Sequence, residues 1–367
     1  MTEVNKTVSG CEMGLISDSE TYCKITSIQN YFSSQGIEID WLALFLLGIN
    51  DLLEFGLERI HSQYLWFLIP YNFQCEVKIF DSLKVPYRKA PSFTLNELKA
   101  EIDKGKTLCI YFDNTMRNTK KKVFNQVASP VNAKGRMRYS SMGILTGYTE
   151  DSFVTDILDI DGKYISIPFT SYMDYAMGDE IAELGAYEEE LTMEKIKSIL
   201  CANLKNAAKR HISICDSYEL DDDGKYGTQG VNCLSALQAE IGFAIDYIRK
   251  SGSQNHSKLL MQKINVLRVY SSKGSSSCYR QELADSIDYL KSLFDISEVD
   301  ADNLRIELKA AGNKWRDLNR FLFSVNYPFF HERLEVFQEK LNERLASLYE
   351  SEEKVGKLLF KVLKDLE

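Results

Sequence analysis

Apolar residues recur at helical spacing in two early segments of the chain. Between residues 22 and 35 they stand three and four positions apart, at Ile25, Ile28, Tyr31 and Phe32, which predicts an amphipathic helix. Gly36 follows this segment and is typical of a helix end. Residues 40–59 would be apolar on nearly all sides of a helix, so they predict a second helix that is deeply buried.

Beyond residue 60 the pattern changes to short runs of strand-forming residues. It predicts strands at 64–69, 77–80, 107–112, 142–148, 152–158 and 163–167, and helices at 95–103 and 170–176. The tripeptide Thr149-Glu150-Asp151 separates two of the strands, which predicts a hairpin turn. Residues 1–180 are therefore expected to form an α+β domain.

Helical spacing returns after about residue 180 and continues to the end of the chain. It predicts helices at 190–211, 228–250, 254–269, 278–293, 298–323 and 328–366. The acidic stretch 221–227 lacks the ligand spacing of an EF-hand and is expected to be a solvated loop. Residues 181–367 thus predict an all-helical second domain, whose long last helix would pack against the first domain or a partner subunit such as a second copy.

Charge and cysteine spacing exclude several classes of function. The net charge of −9 and the lack of a basic stripe argue against a nucleic-acid partner. The apolar run 41–49 is too short to span a membrane, and the first residues do not have the pattern of a signal peptide. Eight cysteines without a CxxC motif predict neither a zinc site nor a disulfide framework, and no other cofactor is indicated. Free thiols indicate the cytoplasm.

Cys23 is the residue most suited to chemistry, because it stands at the start of the first predicted helix. The free backbone N–H groups and the positive end of the helix dipole favour a thiolate there. The same N–H groups could stabilise an oxyanion on an attacked carbonyl. The alternative is that Cys23 is simply a small buried residue before an apolar helix.

Several short motifs follow one another in a recognisable order. A cysteine helix and an apolar helix (22–56) are followed by LCIYFDN, which ends its strand near Asp113. The hairpin GILTGYTEDSFVTDI then carries Asp156, and CYRQELADSIDYL and NKWRDLNRFL follow in the second half. In this order the motifs resemble the butirosin-biosynthesis acyltransferase family, whose members are related to bacteriocin-processing cysteine peptidases. The resemblance implies a papain-like fold for the first domain, with Cys23 as nucleophile and Asp156 as the orienting acid.

One position departs from that family. Its general-base histidine stands six residues before the glycine of a Gly-Tyr pair, which here falls on Ser141. Without an imidazole, a thiol of ordinary pKa is only a few per cent thiolate at neutral pH. Tyr22 also replaces the histidine that precedes the family's cysteine. The histidines of this chain lie elsewhere, at 61, 211, 256 and 331, and His211, near the end of a predicted helix, could reach over from the second domain.

Substrate contacts are expected from the polar residues that follow the strand 107–112. Asp113, Asn114 and Arg117 come directly after this buried strand, where loops commonly carry site residues. Tyr22, beside Cys23, is added to them as a binding candidate.

Two functions from different classes remain open on the sequence. In the first, the resemblance implies a cytoplasmic enzyme of natural-product and antibiotic biosynthesis. It would move an acyl group from a carrier-protein or coenzyme thioester through Cys23 to an amine. In the second, the chain is a catalytically silent relative that binds an acyl carrier, a peptide or a partner enzyme. A cysteine peptidase is disfavoured, because an amide leaving group must be protonated.

Overall fold

A computed structural model describes thirteen ranges of the chain, namely residues 6–7, 23–49, 52–60, 63–69, 75–90, 94–113, 140–158, 164–169, 181–184, 189–212, 226–271, 277–325 and 330–364. Its strands are β1 (Lys6–Thr7), β2 (Glu54–Ile60), β3 (Gln63–Ile69), β4 (Tyr87–Ala90), β5 (Thr107–Asp113), β6 (Ser140–Tyr148), β7 (Ser152–Leu158), β8 (Tyr164–Pro168), β9 (Ile181–Leu184) and β10 (Tyr226–Gln229).

The helices are α1 (Cys23–Ser34), α2 (Trp41–Leu47), α3 (Cys75–Leu83), α4 (Leu95–Asp103), α5 (Met193–Ile212), α6 (Asn232–Ser251), α7 (Gln254–Ser271), α8 (Arg280–Asp285), α9 (Ile287–Leu293), α10 (Glu298–Ser324) and α11 (Leu334–Lys364). A single 3₁₀ turn at His331–Arg333 precedes the last of them. Within the described ranges, no helix is both long enough and apolar enough to cross a membrane.

The chain divides into two units that are discontinuous in sequence. Residues 1–48 and 74–196 form the first unit, and residues 49–73 and 197–367 form the second. The sequence prediction placed one boundary at residue 180, whereas packing assigns the hairpin of β2 and β3 to the second unit. The first unit is an α+β structure, and the second is mostly helical with a small sheet.

Local sequence signals set the ends of the helices in the first unit. Helix α2 begins where the Asp40 carboxylate accepts the Leu42 N–H at 2.7 Å. Helix α4 begins with a capping box, in which Thr94 and Glu97 satisfy each other's backbone N–H groups. After α1 the chain turns at Gly36, whose φ of +74° suits glycine because it has no Cβ.

Two elements expected from the sequence are wrong. The apolar run 40–59 does not continue as one helix, because α2 ends at Leu47 with Gly48 as its cap and β2 starts at Glu54. Residues 77–80 are not a strand but the middle of α3. Within α3, Ile79 and Leu83 are four positions apart and both buried, which is helical rather than strand spacing.

The first unit is built on an antiparallel sheet in the order β4-β9-β5-β6-β7-β8, with the short β1 also pairing with β6. Strand β5 pairs with β6 along its length, from Leu108 opposite Leu145 to Asp113 opposite Ser140. The register of β6 against β7 shifts between Leu145 and Gly147, which marks a bulge at Thr146. Helix α1 packs against β6 and β7, so its first residue is carried on this sheet.

The second unit contains a three-stranded antiparallel sheet in the order β10-β2-β3. Strand β10 lies where the sequence predicted the end of a solvated loop, and the predicted all-helical domain therefore includes strands. The helices surround an apolar core to which α6, α7, α10 and α11 contribute, with Leu237, Ile264, Trp315 and Leu341 among its fully or almost fully buried members.

A buried ionic cluster lies beside this core. Glu352 and Arg280 are both fully buried, and Glu352 also accepts the indole N–H of Trp315 at 2.6 Å. His211 Nε2 lies 3.1 Å from Glu352 Oε2. The arginine and the tryptophan come from the two second-half motifs of the sequence, so these motifs meet at one carboxylate.

The same cluster holds the β2–β3 hairpin in the second unit. Arg280 donates a hydrogen bond to the backbone carbonyl of Leu52 at 2.9 Å. The next carbonyl, that of Leu53, accepts the Gly230 N–H at 2.8 Å and the Cys233 thiol at 3.6 Å. These bonds attach the chain just before β2 to residues far along the sequence, which explains the discontinuous division of the chain.

Candidate functional site

The predicted site residues of the first unit lie on α1 and on three neighbouring strands. Cys23 is the first residue of α1, and Asp156 lies in β7. Ser141 is in β6 opposite Phe112, and Asp113 ends β5 opposite Ser140. The other predicted binding residues, Tyr22, Asn114 and Arg117, lie outside the described residues.

Asp156 connects the cysteine-bearing helix to the sheet. Its Oδ2 atom accepts a hydrogen bond from Asn30 Nδ2 at 2.9 Å, and its Oδ1 atom accepts the backbone N–H of Ile144 at 2.6 Å. The Ser27 side chain also hydrogen-bonds to it. Since Asn30 and Ser27 are on α1 and Ile144 is on β6, one carboxylate ties together three elements.

This carboxylate is placed where two strands separate. The last paired residues of β6 and β7 before it are Leu145 and Thr155, and the side chain of Asp156 then takes the N–H of Ile144. Asp156 is only 8% exposed. Burial raises the pKa of Asp156, while the hydrogen bonds from Asn30, Ile144 and Ser27 act in the opposite direction.

Positions 23, 27 and 30 fall on one face of α1, because a helix repeats every 3.6 residues. Ser27 and Asn30, one and two turns after position 23, both hydrogen-bond to Asp156. Ser27 is one turn from Cys23, roughly 6 Å along the axis. Along β6, Ser141 is three residues from Ile144, or roughly 10 Å. The fold thus brings α1 and Asp156 together. The first residue of α1 is about one helical turn from Ser27, which hydrogen-bonds to Asp156.

A second polar cluster lies beside the start of α1. Glu76, in the first turn of α3, accepts a hydrogen bond from Lys24 Nζ at 2.8 Å and one from the Cys75 thiol at 3.7 Å. The side chains of Lys24 and Glu76 are 17% and 5% exposed. This is a largely buried ion pair that involves the residue directly after Cys23.

The sequence interpretation missed Asn30, Lys24 and Glu76. A signal for Asn30 was present, because Ser27 and Asn30 are polar positions at helical spacing from position 23. The Lys24–Glu76 pair had no such signal, because its members are 52 residues apart and Glu76 stands directly before a segment that was interpreted as a strand.

Three of the four histidines are described, and all belong to the second unit. His211 is 1% exposed and bonded to Glu352, while His331 Nδ1 lies 2.6 Å from Ser257 Oγ. His256 Nδ1 lies 2.7 Å from Ser253 Oγ. His61 is outside the described residues. Within the described ranges, no group of three or more His, Cys, Asp or Glu side chains is arranged to hold a metal ion.

Comparisons with known proteins give a distant structural likeness and no family. No family model matches the sequence, and neither does any curated protein. Among solved structures, the chain is similar to a crystal structure from Bacillus anthracis described as a "putative C39-like peptidase". The two are 13% identical with a TM-score of 0.33, over 52% of this chain and 100% of that one. A likeness this distant does not identify a family.

Proposed function

We propose that this chain is a cysteine-dependent acyltransferase in which Cys23 carries the acyl group. The observation that supports the proposal is that Cys23 is the first residue of α1, the helix whose Ser27 and Asn30 hydrogen-bond to Asp156. These buried hydrogen bonds hold α1 in a fixed position on the sheet. Preorganised N–H groups at a fixed helix end are suited to stabilising an oxyanion.

The chemistry proceeds in two balanced steps. The Cys23 thiolate attacks the carbonyl carbon of an acyl thioester, the bond to the donor sulfur breaks, and the donor leaves as a thiolate that takes up a proton. An amine then attacks the acyl-cysteine, releases the Cys23 thiolate and loses one proton to solvent, which leaves an amide. The first step exchanges one thiolate for another and needs only weak help from a base, which suits a chain with Ser141 at the family's histidine position.

From the resemblance, we take the donor to be an acyl group on a carrier protein or on a coenzyme thiol, and the acceptor to be an amine. The setting would be cytoplasmic natural-product biosynthesis. Nucleic acid and membrane are not among the expected partners, and a homodimer is compatible with the long helix α11.

A second candidate is a silent relative that binds an acyl carrier or a partner protein without chemistry. The engagement of Asp156 supports this candidate, because both of its oxygens already accept hydrogen bonds from α1 and β6. A carboxylate that is bonded in this way has less capacity to orient a base. Together with the serine at position 141, this contact pattern is the one expected where the arrangement of nucleophilic cysteine, general-base histidine and orienting acid has been lost.

The test is an intact-mass measurement after incubation with acyl-pantetheine thioesters of several chain lengths. The acyltransferase proposal expects one acyl adduct per chain, which is lost in Cys23→Ala and retained in Cys75→Ala. Cys75 is the control because it is the first residue of α3, as Cys23 is the first residue of α1. If folded protein forms no adduct with any donor, the acyltransferase proposal is contradicted and the binding function is favoured.

A further inference from the structure

We infer that the second unit binds a second copy of this chain through the outer faces of α10 and α11. In this interface α10 of one copy lies antiparallel to α11 of the other. The interface goes beyond the proposed function, because it requires no chemistry at Cys23. Its basis is two rows of exposed charges of opposite sign, one row on each helix.

The basic row lies on the outer face of α10. Lys309, Arg316 and Arg320 are seven and four residues apart, so they lie on one side of the helix. Arg316 donates a hydrogen bond to Asn313 Oδ1 at 2.9 Å, and Phe323, which is 47% exposed, ends the row. Lys309 and Arg320 are exposed, and neither forms an ion pair with another described residue.

The acidic row lies on the outer face of α11. Glu339, Glu343 and Glu350 are four and seven residues apart, and all three are exposed. Val336, which is 49% exposed, begins this row, and the exposed Ala346 lies within it. The three glutamates form no ion pair within the described ranges. Their charges are therefore available to an external partner.

The contact between α10 and α11 within one chain uses other charges. Arg344 Nε lies 3.1 Å from Asp317 Oδ2, and Lys361 Nζ lies 2.8 Å from Asp300 Oδ1. The start of α10 thus meets the end of α11, so the two helices are antiparallel neighbours. Each row keeps like charges four residues apart, which destabilise a helix. A surface of opposite sign would relieve this repulsion.

The two rows have the same spacing when they are followed in opposite directions. The cations stand three, seven and fourteen residues before Phe323, and the carboxylates stand three, seven and fourteen residues after Val336. An antiparallel contact about 21 Å long therefore places each cation opposite one carboxylate. The resulting pairs are Arg320 with Glu339, Arg316 with Glu343, and Lys309 with Glu350.

A two-fold axis satisfies both rows at the same time. Because α10 and α11 are antiparallel neighbours, an axis parallel to them sets α10 of each copy against α11 of the other, and every charge pair occurs twice. This self-complementarity favours a second copy over a nucleic acid. A polyanion would be attracted by the basic row but repelled by the acidic row beside it.

The apolar ends of the rows complete the contact. Phe323 and Val336 meet in the same register, and the guanidinium of Arg268 lies 4.1 Å from the ring centre of Phe323, which holds the ring in place. Exposed ion pairs contribute little to affinity, whereas charge complementarity fixes the partner and the register. The apolar pair is therefore expected to supply much of the affinity.

Two charge-reversed variants test the interface. Arg316→Glu with Arg320→Glu reverses most of the basic row, and Glu339→Arg with Glu343→Arg reverses most of the acidic row. Sedimentation velocity at about 1–100 μM protein measures the dimer dissociation constant, after circular dichroism has shown that each variant is folded. We expect this constant to rise about tenfold or more in each variant alone, because like charges then face each other.

Mixing the two variants gives the decisive measurement. In the mixed dimer each row again faces the opposite sign, in both halves of the two-fold contact. We expect a heterodimer with a dissociation constant close to that of the parent, identified by native mass spectrometry. The matched control is Lys250→Glu with Lys258→Glu on α6 and α7, two exposed lysines whose reversal changes the net charge equally and should leave dimerisation unchanged.

Several results would overturn the interface. They are a parent that stays monomeric over the whole concentration range, a reversed variant that dimerises like the parent, and a mixture that restores no dimer. Oligonucleotide binding by a monomeric parent would assign the basic row to nucleic acid instead. If a reversed variant does not fold, Arg320→Gln and Glu339→Gln are measured singly, and parental dissociation constants in both overturn the interface. Dimerisation needs no acyl donor, so it can be found where Cys23 forms no adduct, and the reverse also holds.

Discussion

Arg280 and Glu352 form a fully buried ion pair in which the guanidinium meets the carboxylate at two points. Arg280 Nε lies 2.8 Å from Oε1 and Nη2 lies 2.9 Å from Oε2, and both side chains have no exposed surface. Arg280 also donates a hydrogen bond to Leu52 O, and Glu352 also accepts the indole N–H of Trp315. A pair of this kind tolerates the loss of either member poorly, because the other charge is left buried.

Removing the carboxylate should destabilise the second unit strongly. We expect Glu352→Ala to lower the free energy of unfolding by about 3–5 kcal/mol, because Arg280 loses its counter-ion and Trp315 loses its acceptor. Urea unfolding followed by tryptophan fluorescence measures the change. The neighbouring Glu353→Ala is the control, because its exposed pair with Lys357 contributes about 1 kcal/mol or less. Equal effects of the two substitutions would contradict the structural role assigned to Glu352.

The same carboxylate predicts a dependence of stability on pH. Burial by itself raises the pKa of Glu352, but the charge of Arg280 and the hydrogen bonds from His211 and Arg280 outweigh it and lower the pKa to about 2. The folded state therefore binds this proton less readily than the unfolded chain, whose glutamate titrates near 4.5. The contribution, roughly 3 kcal/mol, is present above about pH 4.5 and is lost as the pH falls towards 2.

The predicted contribution of Glu352 is tested by measuring the free energy of unfolding at several pH values between about 3 and 7. Asp156 acts in the opposite direction, because its raised pKa makes the folded state bind a proton more readily, and stability then falls as the pH rises through that window. The parent should lose more stability towards low pH than Glu352→Gln. Identical slopes in the parent and Glu352→Gln would show that Glu352 does not carry the effect.

Two glycines inside helices should respond in opposite ways to alanine. A Cβ at Gly356 would lie 2.5 Å from Ile212 Cγ2 and 2.7 Å from His211 Cδ2, so Gly356→Ala forces α5 and α11 apart and should cost about 1–3 kcal/mol. A Cβ at Gly242 meets nothing nearer than 3.4 Å. Gly242→Ala should stabilise by about 0.5–1 kcal/mol through helix propensity. Thermal unfolding of both variants checks the contrast.

The bond between Asn30 and Asp156 can be tested by exchanging the two side chains. Asn30→Asp alone places two carboxylates in contact and should destabilise the first unit by about 1–3 kcal/mol. The double variant Asn30→Asp with Asp156→Asn restores one amide and one carboxylate, so a substantial part of the loss should be recovered. Chemical unfolding of the single and double variants gives the coupling energy. Additive effects would mean that the two side chains do not interact.

Restoring an imidazole at position 141 should raise the reactivity of Cys23. On the proposed function, a histidine there could accept the thiol proton, so we expect about tenfold or more faster alkylation of Cys23 near neutral pH. Peptide mass spectrometry after brief iodoacetamide treatment measures the rate, with Ser140→His as the neighbouring control. If Ser141→His reacts no faster than the parent, Cys23 and position 141 do not share a site.

Elements with strong local signals were predictable from the sequence, and those set by distant partners were not. Helix α4 is confirmed at Leu95–Asp103, where its capping box defines the start, and β7 is confirmed at Ser152–Leu158. Strands β4, β9 and β10 were missed, because each has four residues and depends on pairing for its stability. Helix α2 was predicted too long, since a continuous apolar run does not show where a helix gives way to a strand.

The same distinction applies to the candidate site. Cys23 at a helix start followed from the spacing of its own neighbours, and α1 begins there. The partners of Asp156 are encoded 12 and 126 residues away, so no local pattern reveals them. Glu352 was hidden for another reason: it stands between other glutamates in α11 and resembles a solvent-facing residue until the buried Arg280 is placed against it.

The attachment of Leu52 to Arg280 also affects how the chain must be made. The two residues are 228 positions apart, so at ribosomal speed Leu52 is synthesised roughly 10–50 s before Arg280. During the first part of that interval β3, with the sequence QYLWFLI, lacks helix α7, with which it is in contact, and β2 lacks its partner strand β10. Nascent chains halted before residue 226 should therefore engage a chaperone that recognises apolar strands, and release from it should coincide with synthesis of α8 and α11.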